Sequence, residues 1–196
     1  MSEPIRELEI RSALLRFMSI GDMPSGSRIR EEFRIERGGS RVDVAVIGAK
    51  LIAYEIKSDL DSFARFSNQI HAYNRVFDEI YLVCGQGHAS QALEVIPSWW
   101  GLLVAERHSH DGVQLKDVRV ATRNFKQDPF SLASLLWKDE VLAVLTSEEK
   151  EVPKRASSHV LWDCLAQSLS IERIKKVVTE NLLSRQDYNE LAVKAI

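Results

Sequence analysis

Between residues 40 and 58 the chain alternates twice. Val42, Val44 and Val46, and then Ile52, Tyr54 and Ile56, stand at every second position, with Gly48-Ala49-Lys50 between the runs. β-Branched and aromatic residues at period two predict two strands, and the short insert predicts a hairpin turn. Arg41, Asp43, Ala45 and Ile47, with Leu51, Ala53, Glu55 and Lys57, occupy the opposite face. Pairing Ile47 with Leu51 across the turn sets Asp43 directly opposite Glu55.

The rest of the chain builds around this hairpin. Residues 3–18 predict an amphipathic helix, with Ser2 as its cap, Pro4 in its first turn and a stripe of Ile5, Leu8, Leu15 and Met18. A Gly, Asp, Pro and Ser-rich loop over residues 19–27 follows. Residues 28–37 alternate as a strand, with Ile29, Phe33 and Ile35 on one face and Arg28, Arg30, Glu32, Arg34 and Glu36 on the other. After the hairpin, a helix beginning at Asp59 or Asp61 runs to about Phe77 on a stripe of Phe63, Phe66, Ile70, Tyr73 and Phe77. Residues 79–84 form a buried strand, joined to the hairpin by a parallel crossover. A short helix over residues 88–95, a strand after Trp99-Trp100-Gly101 and a strand over residues 114–123 complete this part. The two tryptophans suit core and rim packing better than base stacking. From Asp128-Pro129 the pattern is helical only: one helix over residues 130–145, a polar linker over 146–158, helices over 159–168 and 171–183, and a third over 186–196.

The expected fold is therefore α/β, a mixed central sheet flanked by helices with an all-helical C-terminal subdomain. The boundary falls between residues 1–125 and residues 126–196. The helical part, with Arg173, Lys175 and Lys176 offset by Glu172 and Glu180, suits a lid or a homodimer surface better than a DNA-reading helix pair.

Composition changes this picture little. The 196 residues are 45% hydrophobic and 28% charged, an ordinary globular balance. A net charge of −2 gives no global basic footprint for nucleic acid. Cys84 and Cys164 stand alone, without disulfide or zinc-finger spacing. No apolar run reaches membrane-span length and no signal-peptide pattern opens the chain, so the expectation is a cytoplasmic protein without a membrane partner. Gly85-Gln86-Gly87 is too short for a nucleotide loop. His108, His110 and Asp111 read as a solvated turn before Gly112.

The chemistry lies in the hairpin. Two carboxylates directly opposite on antiparallel strands have β-carbons roughly 4.5–5.5 Å apart, where like charges repel. Burial deepens the conflict, and a hard divalent cation resolves it, since Mg²⁺ or Mn²⁺ takes carboxylates, water and phosphate oxygen. Asp43, Glu55 and the carbonyl of Ile56 are the candidate ligands, and Lys57, on the face of Glu55, could offset charge on a phosphate or an attacking water. A solvated face with a cross-strand ion pair is the alternative on the residues alone.

Asp43, then Glu55-Ile56-Lys57, resembles the D…E-x-K core of the PD-(D/E)XK nuclease superfamily. Val42 stands where that motif name has Pro. Residues 7–11 (ELEIR) resemble the first-helix carboxylate segment of archaeal Holliday-junction resolvases, which brings in Glu7. Gln69 and Tyr73 resemble the Q-x-x-x-Y of the branch related to the RecB nuclease domain. The run YEIKSDLDSFARFSNQIHAYNRVFDEIYLV, with IPSWWG downstream, looks like a family of small bacterial and phage proteins within that superfamily. The resemblance spans roughly residues 5–100. It implies a restriction-endonuclease-like sheet and Mg²⁺- or Mn²⁺-dependent hydrolysis of phosphodiesters, with DNA as the expected partner. Asp43, Glu55, Lys57, Gln69 and Glu7 would form the catalytic set, with Gln69 steadying the attacking water or Lys57. Glu9 and Glu32 are further candidates for the site, although Glu7 and Glu9 also suit a helix's first turn. Arg28, Arg30, Arg34 and Arg41, in a cluster with Arg37, are candidate phosphate contacts, joined by Tyr73; a ladder of surface ion pairs is the other reading of the arginines. Arg65 shares the flank of Gln69. A nucleic-acid- or protein-binding module on the same core is the rival to an enzyme.

Overall fold

The alternating segments assemble into one six-stranded sheet whose spatial order equals its chain order. The computed structural model describes residues 3–20, 23–64, 66–108, 112–152 and 155–185, less the side chains of Ile20 and Arg37. Helix α1 (Glu7–Ile20) comes first, followed by strands β1 (Arg28–Ile35), β2 (Ser40–Ile47) and β3 (Leu51–Lys57). Helix α2 (Phe66–Asn74) leads to β4 (Glu79–Gly85), and α3 (Ala89–Val95) to β5 (Gly101–His108) and β6 (Gly112–Arg119). Four helices end the described chain: α4 (Pro129–Ala133), α5 (Lys138–Ser147), α6 (Ser158–Ser168) and α7 (Ile171–Ser184). Among the described residues no helix is long and apolar enough to cross a membrane.

Strands β1, β2 and β3 are antiparallel, β3, β4 and β5 parallel, and β6 returns antiparallel to β5. The sheet is mixed, as the sequence predicted, and Ile47 faces Leu51 across the Gly48–Lys50 turn. Each sheet face is covered. Val44, Val46 and Ile56 pack with Ile10, Leu14 and Met18 of α1. Ala45, Ile47, Leu51 and Ala53 pack on the other side, in one buried cluster with Tyr73 and Phe77 and with Leu132, Leu161, Ile174 and Val178 of the C-terminal helices. Helix α7 is also tied to the sheet by charge: Lys175 pairs with buried Asp78, whose Oδ2 accepts the Leu51 amide at 2.9 Å.

One alternation does not survive. Val42 belongs to the second cluster, opposite Val44 and Val46, and Phe33 and Ile35 leave the side that Ile29 occupies. Glu32 is the reason. Its φ of 54° lies in the left-handed region, and the β1–β2 ladder skips Glu32 and Asp43. Period-two alternation holds only for extended backbone, so the two faces exchange across this point.

Helix starts also move. Helix α1 begins at Glu7 because residues before it are spent elsewhere: Ile5 donates its amide to Asp59 Oδ2 at 2.7 Å and accepts the Asp59 amide at 3.2 Å. The Ser2 cap lies outside the described residues. Asp59 is thereby removed as a helix start, and Asp61 Oδ2 accepts from the amide and hydroxyl of Ser58, so α2 waits until Phe66. The helix expected over residues 130–145 is two. Trp137 is extended (ψ 159°) and donates its amide to Glu140 at 2.7 Å, capping α5 instead of continuing α4. Strand β6 starts two residues early and stops at Arg119, whose guanidinium turns to the carbonyls of Trp100 and Pro97. Trp100 is fully buried and Trp99 partly so, as packing residues. His110 and Asp111, Pro153 and the helix expected over 186–196 lie outside the described residues.

Strand β5 begins at Gly101, where a β-carbon would lie 2.2 Å from the Tyr81 ring and 3.0 Å from the Ala121 nitrogen. Tyr81 cannot simply withdraw, because it stacks on Tyr54 with centroids 5.1 Å apart. Gly101→Ala should therefore destabilise the fold by about 1–3 kcal/mol, the usual cost of overpacking. Urea denaturation measures this, and a variant as stable as the wild type would show the β4–β5 packing described here to be wrong.

Candidate functional site

Where β2 and β3 separate, the sheet ends in polar residues. Asp43 comes from β2, Glu55, Ile56 and Lys57 from β3, Gln69 from α2, Glu7 from α1 and Arg34 from β1. With Arg41, these residues line one cleft of about 610 Å³. The structure thus brings together all five residues of the expected catalytic set, within two linked networks.

The first network holds Glu55, which is only 2% exposed. Its Oε1 accepts from Lys57 Nζ at 2.7 Å and Gln69 Nε2 at 2.6 Å, and its Oε2 lies 2.6 Å from the Tyr73 hydroxyl. Gln69 also accepts from Lys57 at 3.3 Å and donates to the Tyr73 oxygen at 3.2 Å. Burial, then the charge of Glu55, push the Tyr73 phenol well above its ordinary range, so the hydroxyl keeps its proton. That proton serves Glu55 or the Arg41 carbonyl, each 2.6 Å away. Tyr73 is fully buried, which overturns its expected contact with nucleic acid: its work is to fix Glu55. The spacing of Gln69 and Tyr73, one helical turn apart, places both on the flank of α2 that faces β3.

The second network is centred on Arg11, which the sequence reading missed. Its guanidinium is buried and lies 2.6 Å from Glu7, 3.1 Å from Glu31, 3.0 Å from Glu32 and 3.7 Å from Asp43 Oδ1. It also donates to the Asp43 carbonyl at 3.0 Å. Burial pulls its pKa down, but hydrogen bonds to Glu7 and Glu31 and the charge of Asp43 leave it above the ordinary value. The signal available in the sequence was its position four residues after Glu7, an i,i+4 pair on α1. Glu9, the other candidate of that turn, pairs with Arg107 at 2.9 Å and the Arg6 amide instead. Those bonds hold its carboxyl below the usual range, away from the cleft.

Asp43 joins the two networks. The β2–β3 register ends at Val44 with Tyr54, so Asp43 is the next residue toward Glu55, and its Oδ2 accepts the Ile56 amide at 2.7 Å. Burial, then the Glu55 charge, push its pKa from 3.8 up to about 7; the Ile56 amide, Arg11 and Lys57 oppose the shift without cancelling it. Carboxylate oxygens of Asp43, Glu7 and Glu32 lie within 4.8 Å of one another. Such an all-oxygen set suits a hard divalent cation. Glu55 lies beside this set, its oxygens held by Lys57, Gln69 and Tyr73. Ile56 contributes its amide to Asp43.

The arginines divide. Arg34 and Arg41 stand at the cleft, directly opposite each other on β1 and β2, and Arg41 pairs with Glu32 at 2.6 Å. Arg30 is 7% exposed and turns with Arg28 toward the Arg185 carbonyl beyond α7. Packing against the C-terminal helices removes Arg30 from the surface where a phosphate could meet it. The side chain of Arg37, and Arg65 altogether, lie outside the described residues.

The raised pKa of Asp43 has a measurable sign. An acid whose folded pKa exceeds its unfolded value favours folding when protonated, and that contribution is lost as pH rises from about 4 to about 7. In EDTA, Asp43→Asn should raise the melting temperature by an amount that grows over that interval and is constant above it. A gain independent of pH would mean that Asp43 is not the strained acid of this site.

The chain resembles known proteins in sequence. It is similar to Protein cII of Enterobacteria phage P4, 26% identical over 188 residues that cover 94% of this chain and 69% of that one. A solved structure, the SPO1766 protein of unknown function from Silicibacter pomeroyi, aligns over 96% of this chain and 99% of its own at 18% identity, with a TM-score of 0.42, too loose a likeness to bear on function. The family described as Bacteriophage P4 protein cII matches residues 1–195, nearly the whole sequence, and the chain belongs to that family.

Proposed function

We propose that this protein is a Mg²⁺- or Mn²⁺-dependent nuclease that hydrolyses phosphodiester bonds, with DNA as its substrate. The observation that carries the reading is the convergence of Asp43, Glu55 and Lys57 on one cleft, beside Glu7 and Gln69. Asp43, Glu7 and Glu32 would hold the cation, with Glu55 next to Asp43. A cation bound there would neutralise phosphate charge and lower the pKa of water.

The chain's own groups complete the chemistry. Lys57 cannot ligate a cation, but its ammonium, held by Glu55 and Gln69, presents positive charge where a phosphorane-like anion would develop. Its ammonium lies over the Phe66 ring, 5.3 Å from the centroid. Glu55 is oriented by Lys57 and Gln69 on one oxygen and by the Tyr73 hydroxyl, 2.6 Å from the other. Tyr73 and Gln69 act on the reaction only through Glu55 and Lys57. The D…E-x-K order with Q-x-x-x-Y on the next helix supports membership of the PD-(D/E)XK superfamily.

A second reading, a nucleic-acid- or protein-binding module on the same core, is favoured by one observation. Arg11 already supplies positive charge to Glu7, Glu31, Glu32 and Asp43 without any metal.

Labelled linear, nicked, flapped and junction DNA, each with Mg²⁺, Mn²⁺ or EDTA, separates the two. Mn²⁺ should bind the wild type by calorimetry and bind Asp43→Asn much more weakly. Lys57→Met should bind metal and DNA as the wild type does and lose about a hundredfold in single-turnover cleavage, the typical loss of one oxyanion donor. A wild type that cleaves nothing on the panel establishes the binding module instead, and a Lys57→Met variant as fast as the wild type removes Lys57 from the mechanism.

A further inference from the structure

The cleft at Asp43 does not stop at the edge of the site. Arg34 and Gly38 line it and also line a groove of about 660 Å³ between β1 and the C-terminal helices. Phe33, Trp137 and Trp162 contribute aromatic surface to that groove, and Arg34, Lys138 and Arg185 contribute cations. Its acids, Glu31 and Glu32, are turned into Arg11 and Arg41. Arg34 and Lys138 are exposed, and among the described residues neither has an ion pair, so the groove presents uncompensated positive charge. Where groove and cleft meet, Arg34 stands in register with Arg41, whose Nε already holds Glu32 at 2.6 Å, so Arg34 is the charge left there for an anion.

Trp137 is the second observation. Its indole is 60% exposed although large aromatic side chains gain most from burial, and the Arg185 guanidinium stacks 4.2 Å from its centroid. Arg185 is fixed in turn by Glu140 at 2.5 Å and the Leu135 carbonyl at 2.8 Å. The ring is therefore braced from behind and open to solvent. A braced, open aromatic in a cation-lined groove is the arrangement that takes unpaired bases, since a duplex hides the base faces that would stack.

We propose that this groove binds a single strand of nucleic acid continuous with the strand at Asp43, its phosphates on Arg34 and Lys138 and a base on Trp137. This deepens the nuclease reading and rests on it for direction, making the substrate one with a single-stranded segment beside the cut.

The test measures binding in EDTA, so that it does not depend on cleavage. Anisotropy of a labelled oligothymidylate of about 12 nucleotides, against a blunt duplex of equal length, should show wild type preferring the single strand. Trp137→Ala should lose about tenfold or more in single-strand affinity, Trp137→Phe should keep most of it, and Arg34→Ala should flatten the salt dependence by about 0.7 in log–log slope. Melting temperatures confirm that the variants are folded. A wild type that prefers duplex or binds no single strand, or a Trp137→Ala variant that binds as tightly as wild type, overturns the groove. A protein that cleaves the DNA panel yet fails this test loses the groove alone; one that passes it and cleaves nothing loses the nuclease reading alone.

Discussion

Four carboxylates and one guanidinium meet at the end of the β2–β3 hairpin, and the local structure is arranged around their imbalance. Arg11 is buried and lies against Glu7, Glu31, Glu32 and Asp43, and removing it would leave Asp43, the most shielded of these acids, facing the others without the guanidinium. Arg41 adds a second positive charge through Glu32. Even so, Asp43 is pushed up to about 7, because burial and Glu55 outweigh what Arg11 and Lys57 return. This cluster of acids is what the proposed cation site rests on.

This arrangement is also what bends β1. Glu32 holds a left-handed backbone conformation that a residue with a β-carbon seldom adopts, and its two carboxylate oxygens are held by Arg11 and Arg41. The exchange of faces across Glu32 sends Phe33 and Ile35 to the side of the C-terminal helices, while Ile29 stays against α1. The same kink thus orders the acid cluster and brings β1 beside α4 and α5, where the groove with Trp137 forms. The C-terminal helices are held to the sheet by shared core residues and by Lys175 on Asp78, so the groove has a fixed far wall.

Membership of the phage P4 cII family covers the chain from end to end, and the candidate site lies in its first half while the groove spans both. Residues of the C-terminal helices that look like plain packing in the sequence therefore line a groove that shares Arg34 and Gly38 with the candidate cleft. Trp137, which caps α5, is the clearest of them.

Much of this protein is determined locally. Period-two alternation predicted both strands of the hairpin, and the short Gly48–Lys50 turn set their register with Ile47 opposite Leu51, which carried Asp43 to Glu55. Lys57 beside Glu55 and Gln69 on one flank with Tyr73 follow from the periods of strand and helix, but that Gln69 and Tyr73 both close on Glu55 does not. What the sequence could not express is where long-range partners intercept a local preference. Asp59 and Asp61 are good helix starts, yet they bond Ile5 and Ser58. Residues 130–145 have helical periodicity, yet Trp137 takes a capping conformation. Tyr73 and Arg30 read as polar contacts for a ligand, yet packing against Glu55 and Arg185 buries them. Arg11 is the extreme case: on its own helix it is an ordinary partner for Glu7, and only the assembly of β1 and β2 against α1 brings Glu31, Glu32 and Asp43 to it. Burial and charge at a point where three elements meet depend on all three, and no single stretch of chain contains them.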